Sequence, residues 1–160
     1  MANPFPFSVG AVLTAAQMNG IGEWTSYTPV LTATVTNPTL GTGSTQNGSY
    51  ARIQNLIIAR FFIRFGTAGV NAGSGTYKVS LPVTAAETNQ FFENTVGQTA
   101  FYDNSAFASF YANVWINDTS NITLTVQNAF NGSLANLTAA APVIPAASDA
   151  FSGLIIYKAA

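Results

Sequence analysis

From residue 24 to residue 157 the chain alternates apolar and polar side chains with a period of two, a pattern that half-buried β-strands require and helices cannot satisfy. In residues 30–36, Leu31, Ala33 and Val35 share one face and Thr32, Thr34 and Thr36 the other; the turn-rich stretch from Asn37-Pro38 to Asn47-Gly48 then ends the strand. A short strand is expected over 50–55 and a long one over 56–65, with Ile57, Phe61, Ile63 and Phe65 on one side and Arg60, Phe62 and Arg64 on the other. The glycine-rich residues 66–75 read as a loop, after which Tyr77, Val79 and Leu81 alternate with Lys78 and Ser80 until Pro82 stops the ladder. Further strands are expected over 96–102, 107–116, 122–126 and 151–157, with a turn at Asn117-Asp118. About eight strands separated by turn signals specify an all-β chain, an antiparallel β-sandwich or jelly roll spanning residues 24–160.

Residues 1–23 read differently. Pro4 and Pro6 hold the start extended, and Thr14 and Gln17 have capping-box spacing, so Ala15, Ala16 and Met18 form a very short helix that Asn19-Gly20 breaks. A helix of this length is not stable alone and must pack on something, its own domain or a neighbouring subunit. The segment is therefore an attachment arm, with Phe5, Phe7, Val9, Leu13 and Met18 as its apolar contacts. Thr84 and Glu87 repeat the capping-box spacing, where a helical turn or a structured loop is expected.

Charge narrows the function. Only 7% of the 160 residues are Asp, Glu, Lys or Arg, against about 25% in ordinary soluble domains. Hydroxyls and amides with a formal net charge of −1 raise little electrostatic barrier to self-association. Five basic residues cannot make a phosphate-tracking stripe, so no nucleic-acid partner is expected. No apolar run reaches the roughly 18 residues of a spanning helix, so no membrane insertion is expected, and the N-terminus lacks a secretory pattern, which points to assembly inside the producing cell.

Catalysis has few candidates. With no Cys and no His, thiolate chemistry and the usual proton shuttle are missing, and no catalytic residue, cofactor site or metal site is assigned. The carboxylates are Glu23, Glu87, Glu93, Asp103, Asp118 and Asp149; Asp118 sits in a turn and Glu87 in a capping box, which are structural roles. Arg60 and Arg64, with Phe62 between them on one strand face, mark either a solvated outer face or a subunit interface in which the Arg forks meet carboxylates of a neighbour. Trp24, Tyr102, Tyr111 and Trp115 could stack on sugar rings, although strand aromatics are more often core or interface anchors.

A resemblance adds to this. The segment Phe7-Ser8-Val9-Gly10-Ala11-Val12-Leu13-Thr14-Ala15-Ala16-Gln17-Met18-Asn19 resembles the N-terminal F-x-x-G-x-x-L-T-A-A-x-x-N segment of bacteriophage tail-fibre, minor tail and head-decoration proteins. Trp24-Thr25-Ser26-Tyr27-Thr28-Pro29-Val30-Leu31, Asn37-Pro38-Thr39-Leu40-Gly41-Thr42-Gly43 and Gly73-Ser74-Gly75-Thr76-Tyr77-Lys78-Val79-Ser80-Leu81-Pro82 are similar to the β-domain that often follows it. The likeness covers both ends and the first half of the chain, while residues 84–137 agree only in general pattern. It implies a non-enzymatic virion surface protein, assembled in the host cytoplasm, commonly a homotrimer. Its arm would attach to other virion proteins and its β-domain face outward, with host-surface glycan as an alternative partner.

Overall fold

The computed structural model describes residues 10, 12, 14–86, 95–127, 134–140 and 143–160. It is almost all β. One helix, α1 (Ala15–Asn19), precedes ten strands: β1 (Trp24–Tyr27), β2 (Leu31–Ala33), β3 (Thr45–Ile53), β4 (Leu56–Arg64), β5 (Tyr77–Ser80), β6 (Thr95–Asp103), β7 (Ala108–Asp118), β8 (Asn121–Gln127), β9 (Leu134–Asn136) and β10 (Ala150–Lys158). The capping box at α1 forms as its spacing predicts: Gln17 N donates to Thr14 Oγ1 at 3.2 Å, and Thr14 N donates to Gln17 Oε1 at 2.9 Å. No residue of α1 is buried.

The strands form one antiparallel sheet in the order β1-β3-β4-β10-β6-β7-β8-β5-β2, with β9 beside β8. The sheet curls until its two halves face each other, so that Tyr77 of β5 meets Phe151 of β10 edge-on at 5.7 Å between ring centroids. Phe65 and Phe101 complete this aromatic centre, at 6.0 and 4.8 Å from the Phe151 ring. All four rings are fully buried. The Tyr77 hydroxyl donates to Ala72 O at 2.7 Å, and burial raises its pKa. Tyr157 ties the end of β10 to the segment after β5, donating to Val83 O at 2.7 Å and accepting from Val83 N at 3.2 Å.

Closure comes from a single bent ribbon that short-range sequence signals describe as loops. Leu31 pairs with Val79, Thr36 with Ser74, Thr39 with Asn71 and Thr42 with Ala68, all in one register; Thr45 pairs with Arg64 after a one-residue slip. The expected turn at Asn37 to Gly48 and the expected loop at Gly66 to Gly75 are therefore opposite sides of the corner that carries β2/β5 into β3/β4. Backbones approach there so closely that a Cβ on Gly66 would collide with Thr42 O, and one on Gly73 with Thr36 O. This pairing also starts β3 at Thr45 rather than at residue 50. The separate β1 and the three-residue β9 bring the count to ten rather than eight. Ala85 of the second capping-box spacing makes a β-bridge to Ala159, and Glu87 lies outside the described residues.

Gly48 lies within β3 because the Tyr27 ring of β1 occupies the space where a side chain would stand. The arrangement repeats one pair along: the Phe61 ring of β4 lies over Gly153 of β10, where a Cβ would come within 2.6 Å of it. Two buried acids fix the turns at the far end of β6 and β10. Asp103 accepts from Ser105 N, Ser105 Oγ and Ala106 N at 2.9, 2.7 and 3.0 Å, and Asp149 accepts from Asn104 N and Ala146 N at 2.9 and 2.8 Å.

Candidate functional site

Parity along β4 decides what faces outward. Ile57, Ala59, Phe61 and Ile63 are buried, whereas Leu56, Arg60, Phe62 and Arg64 are exposed, so the expected division of this strand holds. The registers extend the outer face into rows across neighbouring strands. One row runs Trp24, Ala51, Ile58, Ile156; the next runs Ser26, Ser49, Arg60, Leu154, Gln98; a third runs Asn47, Phe62, Ser152, Ala100, Tyr111. Trp24 (49% exposed), Phe62 (38%), Leu154 (51%) and Ile156 (48%) therefore share one face with Ile53 and Leu56. These side chains place exposed apolar surface on neighbouring strands of one face, interspersed with Ser49, Arg60 and Ser152.

The charged residues of the strands that build this face are of one sign. β1, β3, β4 and β10 contain no Asp or Glu, yet Arg60, Arg64 and Lys158 project on the outer side of β4 and β10. Neither Arg has a carboxylate partner among the described residues. Arg60 is held in place by neutral groups: its Nε donates to Ser49 Oγ at 2.8 Å, and its guanidinium carbon stands 5.3 Å from the centroid of the Trp24 ring, within cation–π range. Beside it a groove of about 630 Å³ opens where β1 ends, lined by Ser26, Asn47, Ser49, Arg60 and Phe62 among others.

The site residues expected from sequence fall into three groups. Arg60 and Phe62, two expected interface residues, both line the groove, and Trp24, an expected glycan contact, meets Arg60 without lining the groove itself. Arg64 lies one row on, with Tyr102 two strands away beyond Ala150, and the 79% exposed Tyr111 lies three strands from Phe62. Trp115 is apart, half-buried opposite Thr123, with its indole Nε1 shut off from solvent and without a hydrogen-bond partner. Of the arm, Met18 is 54% exposed, and Phe5, Phe7, Val9 and Leu13 lie outside the described residues. Leu154, Ile156 and Ser49 were not singled out by the alternation alone. The signal for the first two is the unbroken apolar run 154–157, which supplies apolar side chains to both faces of β10.

The described carboxylates other than Glu23 are engaged internally. Asp103 and Asp149 hold backbone N–H groups, and Asp118 bonds Ser120 N, Asn121 Nδ2 and Lys78 Nζ at 2.9, 2.9 and 3.0 Å. Burial alone pushes the Asp118 pKa up; the bonds from Ser120, Lys78 and Asn121, with the Lys78 charge, outweigh it and leave the carboxyl below its ordinary value. The Ser105 hydroxyl, with the Ala106 and Ser105 N–H groups, lowers that of Asp103 against burial. Among the described residues no group of three or more acids could hold a metal ion, and no helix is long and apolar enough to cross a membrane. Against known proteins, no family model, no curated sequence and no solved structure matches the chain.

Proposed function

We propose that this chain is a structural subunit that assembles with copies of itself on a bacteriophage particle, as a tail-fibre, minor tail or capsid-decoration protein. The observation that carries the reading is the outer face of β4 and β10, where Leu56, Phe62, Leu154 and Ile156 stand exposed in paired strands whose opposite faces already form the core. Covering that face with a second copy removes apolar surface from water at about 25 cal/mol per Å². The chain's scarcity of charge leaves little to oppose it. The exposed α1, with no buried residue of its own, supports the arm as a second contact, made to other virion proteins.

Light scattering on the purified chain tests the self-association, with Leu154→Lys as the variant. The parent is expected as an oligomer, a trimer on the resemblance, and the variant as a folded monomer or a much weaker assembly. A parent that is monomeric at tens of micromolar refutes it. Immunogold electron microscopy of particles tests the location; particles that carry no label refute the virion assignment.

A further inference from the structure

The groove at the end of β1 carries a chemistry that self-assembly leaves unused. β1 stops at Tyr27, opposite Gly48, while β3 continues to Thr45, and the groove opens at the vacated lane, lined by residues of both faces of these strands. Arg60 is immobilised beside it by Ser49 and Trp24. Those contacts use one of its five N–H donors, and the remaining four have no acceptor among the described residues. An Arg fork whose side-chain entropy is already spent, on a residue that lines the groove, is preorganised for a carboxylate, which it grips through two parallel hydrogen bonds.

The rest of the lining defines what else the ligand carries. Ser26, Thr28, Gln46 and Asn47 are neutral hydroxyls and amides that match a ligand rich in hydroxyls, and the Phe62 ring is an apolar wall for its C–H face. A single cation in the groove balances a monoanion; a phosphate dianion would be left half-neutralised. We propose that this groove binds a carboxylate-bearing sugar, a sialic or uronic acid unit of a surface polysaccharide. Arg60 takes the carboxylate, Ser26 and Asn47 the hydroxyls, and Phe62 the ring face. Trp24 and Ser49 are positioning residues that hold Arg60 in place. Phe62 is shared with the face proposed for self-assembly, while Ser26, Asn47 and Arg60 lie on its β1 side, so the light-scattering mass is followed together with binding.

Isothermal titration of the full chain with N-acetylneuraminic acid and with tri-galacturonic acid tests it. The galacturonate methyl ester serves as a neutral twin, and acetate and inorganic phosphate as bare anions. At least one acidic sugar is expected to bind, with the ester at least tenfold weaker and acetate and phosphate weaker still. Arg60→Lys keeps the charge and removes the fork, so it is expected to weaken binding at least tenfold without changing the melting temperature or the light-scattering mass. Failure of both acids to bind, equal binding of the ester or of the bare anions, or unchanged affinity in Arg60→Lys each overturns the proposal. So does a loss of oligomer mass in Arg60→Lys without any sugar binding, which would make the groove a subunit contact.

Discussion

Gly153→Ala isolates the close contact between β10 and the Phe61 ring of β4. In β10 a Cβ at this position would stand 2.6 and 2.7 Å from Cε1 and Cζ of Phe61 and 3.1 Å from Thr99 Cβ, all inside van der Waals contact. Phe61 is 3% exposed and packed in the core, so its ring cannot swing aside freely. Overpacking of this kind costs about 1–3 kcal/mol. Gly153 has no positive φ, so alanine also recovers about 0.5–1 kcal/mol of backbone entropy. The net expectation is a loss of about 1–2 kcal/mol, or a melting temperature lower by roughly 2–8 °C for a chain of this size. Leucine at position 61 has no atoms where Cε1 and Cζ stand, so Phe61→Leu should cancel much of the penalty of Gly153→Ala. Thermal and urea unfolding of the two single variants and the double variant should show a coupling of about 1 kcal/mol in the rescuing direction. Strictly additive costs, or a Gly153→Ala chain as stable as the parent, would refute the close approach of β4 and β10 side chains on which the core geometry rests.

Two further perturbations read the buried polar contacts. Acid should destabilise the fold. Asp118 and Asp103 have depressed pKa values when folded, so their contribution is present above the ordinary carboxylate pKa of about 3.9 and lost as pH falls through the folded values. Melting temperature against pH should drop in that window, and Asp118→Asn should flatten the drop; an unchanged slope counts against the Lys78–Asp118 contact. Tyr157→Phe removes both hydrogen bonds to Val83 and is expected to cost about 1–3 kcal/mol. Burial also pushes the Tyr157 pKa up to about 12. Its stabilisation is therefore present below the free-tyrosine pKa of about 10 and lost as pH rises toward the folded value, an alkaline loss the Phe variant should lack in denaturant titrations.

Much of this architecture is legible in the residues because alternation is a local signal. The faces of β4 and the capping box of Thr14 and Gln17 follow from spacing alone, whereas the turn expected at Asn117-Asp118 stands two residues later, at Thr119-Ser120, because the ladder of β7 and β8 carries β7 on to Asp118. The corner of the ribbon does not follow from spacing either, since Asn37, Pro38 and the glycines from 41 to 48 and 66 to 75 carry turn chemistry locally. Their pairing is fixed by a register set far away at Leu31 and Val79. Gly48 is the sharpest case: it reads as a strand breaker, and stands in a strand because the Tyr27 ring takes its side-chain space. The meeting of Trp24 with Arg60 is hidden for the same reason. It depends on β1 pairing with β3 and β3 with β4, a strand order that no spacing within the sequence encodes.

The sign distribution on the outer face bears on how copies can meet. All six acidic residues lie outside β1, β3, β4 and β10, while Arg60, Arg64 and Lys158 are on β4 and β10. A two-fold axis through this face would set like against like, Arg64 approaching the arginines of an identical patch. A head-to-tail contact avoids the conflict by placing the face against a different surface, and such contacts close into rings, of which a trimer is the smallest beyond a pair. Arg64→Glu separates the two arrangements by the direction of its effect. In a ring, where Arg64 meets neutral or acidic groups, reversal should weaken assembly by tenfold or more, equivalent to about 1.4 kcal/mol per contact. In a two-fold dimer it relieves repulsion, and assembly should tighten. Sedimentation velocity over a concentration series at low and moderate salt measures this directly. A tightened association constant would rule out the ring, and an unchanged one would leave Arg64 on a solvated outer face, outside the contact.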